Sequence, residues 1–290
     1  MRKAEWPQDI SSILGDDDPL LFLTQEFRQA PIAEGACFML TRANIEFVKR
    51  IFKGSGVGGT GRGAMVLDLT FKVTACGFGL ACLGIPCKHL DRCWRTTAVP
   101  AAFGWGPKDD RATWAAILIG VFMFFQQMGV DLRSWISWVF WDGTAGGECA
   151  HHWFFEKGTR HLLDLPHIMR NCEKHADEET GKNLFLELKY TVHFLSAVPT
   201  LPLFSHYVTQ FLAAAYYKTP ESKMTRYATN EVFYQDGQRD HMWNAKWRCG
   251  VDSGLPPGIT PDTVGNALVS AFPPFLFLCR ESRTMPPIFI

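Results

Sequence analysis

The sequence predicts an α/β protein, built on a mixed sheet with flanking helices and completed by a helical insertion. Three observations carry this expectation. Three apolar segments of strand length follow one another at residues 64–71 (AMVLDLTF), 74–83 (TACGFGLACL) and roughly 94–105 (WRTTAVPAAFGW). A helical segment from about Asp109 to Met128 then alternates with two further strands, SWISWVFW and RHLLDLP. From His167 to Lys218 the pattern is mainly helical. Consecutive strands that give way to helix–strand alternation call for both antiparallel and parallel pairing, with helices on the sheet faces.

In chain order, DPLLFLTQEF and NIEFVKRIF space their apolar residues by three and four and read as helices, so residues 1–53 are expected to be a helical lead-in. KDDRATW opens the Asp109–Met128 helix with acids where the helix dipole favours them. SWISWVFW ends in an Asp142–Gly143 turn. Pro199 and Pro202 break the later helical stretch, and DSGLPPGITPD at 252–262 is a loop. A ribonuclease-H-like fold has this order of elements, with its core here at residues 54–170 and a helical insertion at 171–255.

At 47% hydrophobic and 20% charged, the 290 residues hold enough apolar material for a core. The 29 acidic and 29 basic residues cancel, which gives no support for a uniformly basic nucleic-acid binder and leaves local basic patches open. The N-terminus MRKAEWPQDISS lacks the apolar centre of a signal peptide, so the nine scattered cysteines are expected to be reduced thiols of an intracellular protein. The apolar run WAAILIGVFMFF, residues 114–125, falls short of the roughly 20 residues of a membrane span and reads as a buried helix. No membrane partner is expected.

Residues Gly54, Gly56 and Gly59 satisfy the G-x-G-x-x-G pattern. A dinucleotide cradle needs a strand before those glycines and a helix after them, and here the order is inverted. They read as a connector, and the informative residue is the acid that follows, Asp68, in the middle of AMVLDLTF. A charge inside an apolar strand is costly unless it is paired, hydrogen-bonded or metal-bound. Asp68 is thus either an edge-strand residue facing water or a metal ligand. Asp142 is either a plain Asp-Gly turn or a second ligand. If the first and fourth core strands lie parallel and adjacent, the two carboxylates approach each other, and a divalent cation relieves their repulsion.

Several segments, taken in order, resemble the catalytic domain of Mutator-like DDE transposases. MVLDLTFKVTACGFGLACLGI resembles that family's first-acid strand and hairpin. TTAVPAAFGWGPKDDRATWAAIL is similar to the Pro-bearing strand and Trp-containing helix that follow. WVFWDGTAGGECAHHWFF resembles the second-acid strand, RHLLDLPHIMRNCEK the next strand and its histidine-opened helix, and MWNAKWRCGVDSGLPPGITPDTVGN the approach to the third acid. The similarity spans roughly residues 20–266. It implies an RNase H-like fold, Mg²⁺ or Mn²⁺ as cofactor, transposon-end and target DNA as partners, action as a homo-oligomer, and a nuclear location. It also implies metal-dependent strand cleavage and strand transfer, with Asp68 and Asp142 as the first two catalytic acids and metal ligands. By the same resemblance His167 takes the place of the family's histidine and is the third catalytic candidate, where a neutral imidazole could orient a phosphate or simply cap a helix.

Three departures from the family pattern stand out. Asp164 replaces the usual Cys three residues before the histidine. No carboxylate occupies Ala267–Val269, where the third acid is expected, so residues 256–290 read as the remnant of that helix plus an irregular tail. PPFLFLCRESRTMPPIFI matches nothing in the family and reads like a truncated end or altered frame. A catalytically inactive DNA- or protein-binding derivative is therefore the alternative reading, and a metal-dependent nuclease of the same fold is a third. CKHLDRC, with Cys76 and Cys82 nearby, has thiols too widely spaced for the common zinc patterns and reads as core cysteine. Arg226, Arg239, Lys246 and Arg248 are candidate phosphate contacts.

Overall fold

The computed structural model describes residues 19–23, 36–54, 63–70, 77–88, 96–142, 154–155, 159–163, 165–176, 179–218 and 222–233. Seven strands form one mixed sheet: β1 (Pro19–Leu23), β2 (Cys37–Thr41), β3 (Gly63–Thr70), β4 (Gly79–Lys88), β5 (Thr96–Gly106), β6 (Ile136–Trp141) and β7 (Arg160–Leu163). Their order across the sheet is β1-β2-β5-β4-β3-β6-β7. Strands β3, β4 and β5 form an antiparallel meander, while β6 and β7 join β3 in parallel. The helices are α1 (Arg42–Gly54), α2 (Arg111–Gln127), α3 (Leu132–Trp135), α4 (Leu165–Lys174), α5 (Glu179–Ser196), α6 (Leu201–Lys218) and α7 (Lys223–Tyr227), which continues into a π-helical turn, Ala228–Phe233.

The expected helical lead-in is corrected. Residues Pro19–Leu23 form a strand, paired along its whole length with β2 in antiparallel register from Pro19↔Thr41 to Leu23↔Cys37. Five successive apolar residues have no period that separates helix from strand, so partner pairing decides. Pro19, which has no N–H to give a ladder, sits at the first position of an edge strand. The second expected helix, NIEFVKRIF, lies within α1. It starts with reciprocal capping: Asn44 N donates to Thr41 Oγ1 (3.1 Å), and Asn44 Oδ1 accepts from Thr41 N (2.9 Å). Asn44 Nδ2 also donates to the Pro100 carbonyl at 2.7 Å, tying α1 to β5.

The second expected strand is displaced, because Gly77 adopts φ +79 and β4 starts only at Gly79. Pro202 does not break the helical stretch. It occupies the first turn of α6, where a missing N–H costs nothing. The glycine loop and residues 234–290, with the expected third-acid region, lie outside the described residues.

Alternate residues of the central strands feed two cores. Met65, Leu67 and Leu69 of β3 join Ala81, Leu83, Val139 and Trp141 beneath α1, α2 and α3. Helix α2 is apolar nearly all round and buries residues from Thr113 to Phe125 there. Asp110 caps it by accepting from Thr113 N at 2.8 Å, and Asp109 accepts from the Trp114 indole at 2.8 Å. On the opposite face Ala64, Val66, Leu80, Cys82, Trp138, Phe140 and Leu162 form a second cluster. Helices α4 to α7 and the π-helical turn share a third core around Leu188, Phe204 and Phe233.

Three glycines, Gly63, Gly104 and Gly106, set how closely helices approach the sheet, the last of them against Thr113 of α2. A Cβ on Gly63 would lie 2.6 Å from the Trp135 ring, and one on Gly104 would lie 2.8 Å from Ile117. Gly63→Ala is expected to lower stability by about 1–3 kcal/mol through overpacking. Urea unfolding measures this, and an unchanged midpoint would mean that the indole swings aside freely.

Candidate metal centre

Strand parity and parallel register bring the two acids together. In β3, Ala64 and Val66 face the second cluster, so Asp68 faces the same way. In β6, Trp138 and Phe140 face that cluster, and Asp142 follows two residues later. The pairs Ala64↔Trp138 and Val66↔Phe140 extend in step to Asp68 beside Asp142. Strand β3 is central, which overturns the edge-strand reading of Asp68. Both acids are half-buried.

The third member arrives through β7. That strand runs parallel to β6 with Trp141↔Leu163, and α4 starts two residues after Leu163. The first turn of α4 therefore stands at the same end of the sheet as the acids. One ligand atom each from Asp68, Asp142 and His167 lie within 4.8 Å of one another. His167 is the third residue of the helix, in its first turn.

Two like charges about 4 Å apart repel by about 4 kcal/mol at an effective dielectric near 20. A divalent cation removes that repulsion, and two carboxylate oxygens with an imidazole nitrogen are a donor set that Mg²⁺, Mn²⁺ or a borderline ion accepts. The residues present thus fit a divalent ion. The positive end of the α4 dipole adds potential favourable to anionic ligands.

The surroundings hold these groups in place. Thr70 Oγ1 donates to Asp68 Oδ2 at 3.2 Å. Cys82, the cross-strand neighbour of Asp68, is buried, and its thiol is pushed far up by burial and further by the Asp68 charge. It therefore stays a neutral thiol beside the acid. An Arg170 guanidinium nitrogen lies 3.1 Å from His167 Nε2, and Arg170 Nε donates to the Pro166 carbonyl at 3.4 Å.

Sequence reasoning singled out all three residues, but assigned metal ligation only to the acids. The place of His167 in the candidate group depends on the short β7-to-α4 step. Arg170 was missed, though its spacing of three from His167 on a helix was the available signal. Cys82 and Cys87 lie on opposite faces of β4, one in the second cluster and the other against the first, so they share no ion. Cys76, His89, Cys93, Asp164, Asp262, Arg239, Lys246 and Arg248 lie outside the described residues, while Arg226 is exposed on α7. Among the described residues, no helix is long and apolar enough to cross a membrane. Comparison with protein-family models and with curated proteins gave no match to this chain.

Proposed function

We propose that this chain is an RNase H-like DDE transposase catalytic domain of the Mutator-like kind, cleaving and joining DNA strands with Mg²⁺ or Mn²⁺. The observation that carries this reading is the convergence of Asp68, Asp142 and His167 at the end of the parallel β3–β6–β7 seam. The strand order β5-β4-β3-β6-β7, an antiparallel meander continued by two parallel strands, supports the RNase H-like assignment.

In this mechanism Asp68 and Asp142 would hold the ion, with His167 of the first turn of α4 completing the donor set. When bound there, such an ion would help activate a water or a 3′-hydroxyl and neutralise charge at the scissile phosphate. Thr70 steadies Asp68, and the N-terminal end of α4 favours an approaching phosphate. DNA and a second copy of the chain are the partners of this reading, and the nucleus is its place. The exposed stripe of Leu186, Tyr190 and Phe194 on α5, with Leu203 and Tyr207 on α6, is the surface such self-association would use.

One observation favours a second reading. The segment GNALVSAF offers no carboxylate where the family's third acid is expected, so a DNA- or protein-binding derivative that cleaves slowly or not at all competes with the enzyme. The test is plasmid DNA with Mn²⁺ and a labelled 3′-hydroxyl oligonucleotide, using the wild type and Asp68→Ala. Nicking plus joining, both lost in the variant, supports the transposase. Nicking alone points to a nuclease of this fold. Retained DNA binding with neither activity sinks the enzymatic reading.

A further inference from the structure

His167 and Arg170 occupy one face of α4, and the guanidinium–imidazole contact at 3.1 Å fixes more than position. Guanidinium has five donors and no acceptor, so His167 Nε2 must accept, and the imidazole proton sits on Nδ1. This arrangement is incompatible with metal ligation through either ring nitrogen. Ligation by Nε2 uses the lone pair that Arg170 occupies. Ligation by Nδ1 moves the proton to Nε2, which then has no lone pair to offer. His167 serves the guanidinium or the ion, not both.

We propose that Arg170 is a guanidinium gate on the metal centre. It holds the His167 lone pair while the ion is absent, and the arriving ion displaces it. The released guanidinium, still anchored near Pro166 and at the positive end of α4, then takes a phosphate oxygen of the substrate. Arg170 is exposed, so this swing meets no packing barrier. The proposal rests on the metal-centre reading and deepens it. It makes metal loading and phosphate binding sequential, because the same cation that blocks the first assists the second.

Calorimetric titration of Mn²⁺ into the full chain tests it, with wild type, Arg170→Gln, His167→Ala and the double variant. Arg170→Gln is expected to bind Mn²⁺ roughly 3- to 10-fold tighter, since it removes both a competitor and a like charge. Most of the gain disappears in the His167→Ala background, where only the loss of a like charge remains. In the Mn²⁺-loaded protein, Arg170→Gln weakens binding of a short DNA duplex. A ¹⁵N-histidine spectrum of the metal-free wild type shows His167 protonated on Nδ1.

Equal or weaker Mn²⁺ binding by folded Arg170→Gln overturns the gate, as does a gain that persists in full without His167. No Mn²⁺ bound by either wild type or Arg170→Gln overturns the gate and the metal centre together. The expected titration pattern in a protein that never cleaves DNA would count against the transposase and leave the gate standing.

Discussion

Asp68→Ala and Asp142→Ala are each expected to abolish Mn²⁺ binding while leaving the sheet folded. Both acids are only half-buried and lie beside each other across the β3–β6 seam, so removing either leaves one carboxylate and an imidazole for the ion. Groups that merely orient a metal ligand are worth about 10- to 100-fold in affinity, and a ligand is worth more than about 100-fold. Calorimetry reads this directly. Thermal unfolding reads it again: Mn²⁺ at about one hundred times its Kd should stabilise the wild type by about 2.7 kcal/mol and neither variant. Any DNA cleavage should fall by about 100-fold or more, because charge stabilisation carries most of such a barrier. Wild-type affinity retained in either variant would show that the two acids do not share an ion.

Phe140→Ala has the largest expected effect on stability, about 3–5 kcal/mol. Phe140 is 1% exposed, faces Val66 across the parallel pair, and packs with Trp138 and Leu162 in the second cluster. The cavity it leaves lies under the last turn of chain before Asp142, so Mn²⁺ affinity should fall with stability. Chemical denaturation gives the first quantity and titration the second. Val139→Ala is the control: Val139 is equally buried but faces the first core beneath α2. It should lower stability with a smaller effect on affinity. Equal loss of affinity in both variants would mean that the acids respond to general loosening of β6 rather than to packing on their own face.

The sequence made the site more legible than the sheet edge. A lone acid in AMVLDLTF and another closing SWISWVFW stand out because charge in an apolar strand needs a reason, and their parity puts them on one face once the strands pair. Nothing comparable marks PLLFL or CFMLT. Each is too short for a period, and β2 runs straight into α1 at Thr41, so pairing alone makes them strands. The late start of β4 hinges on the left-handed Gly77, which composition does not reveal. Pro86 and Pro100, unwelcome in central strands, are tolerated because both lie where the ladder has one side open. β4 pairs with β3 only up to Gly84, and β5 pairs with β2 only from Phe103. The contact of Arg170 with His167 was hidden for a different reason: spacing gives the shared face, but not which hydrogen bond the side chains choose.

The parallel seam also has a bearing on timing. Asp68 leaves the ribosome long before its neighbours do, since β6 must cross back over α2 and β7 must add alongside before α4 can deliver His167. Contacts this distant along the chain form late, after their loops have closed. A nascent chain that has not yet reached α4 carries both acids but lacks His167. The candidate centre is therefore assembled only once α4 has joined the seam.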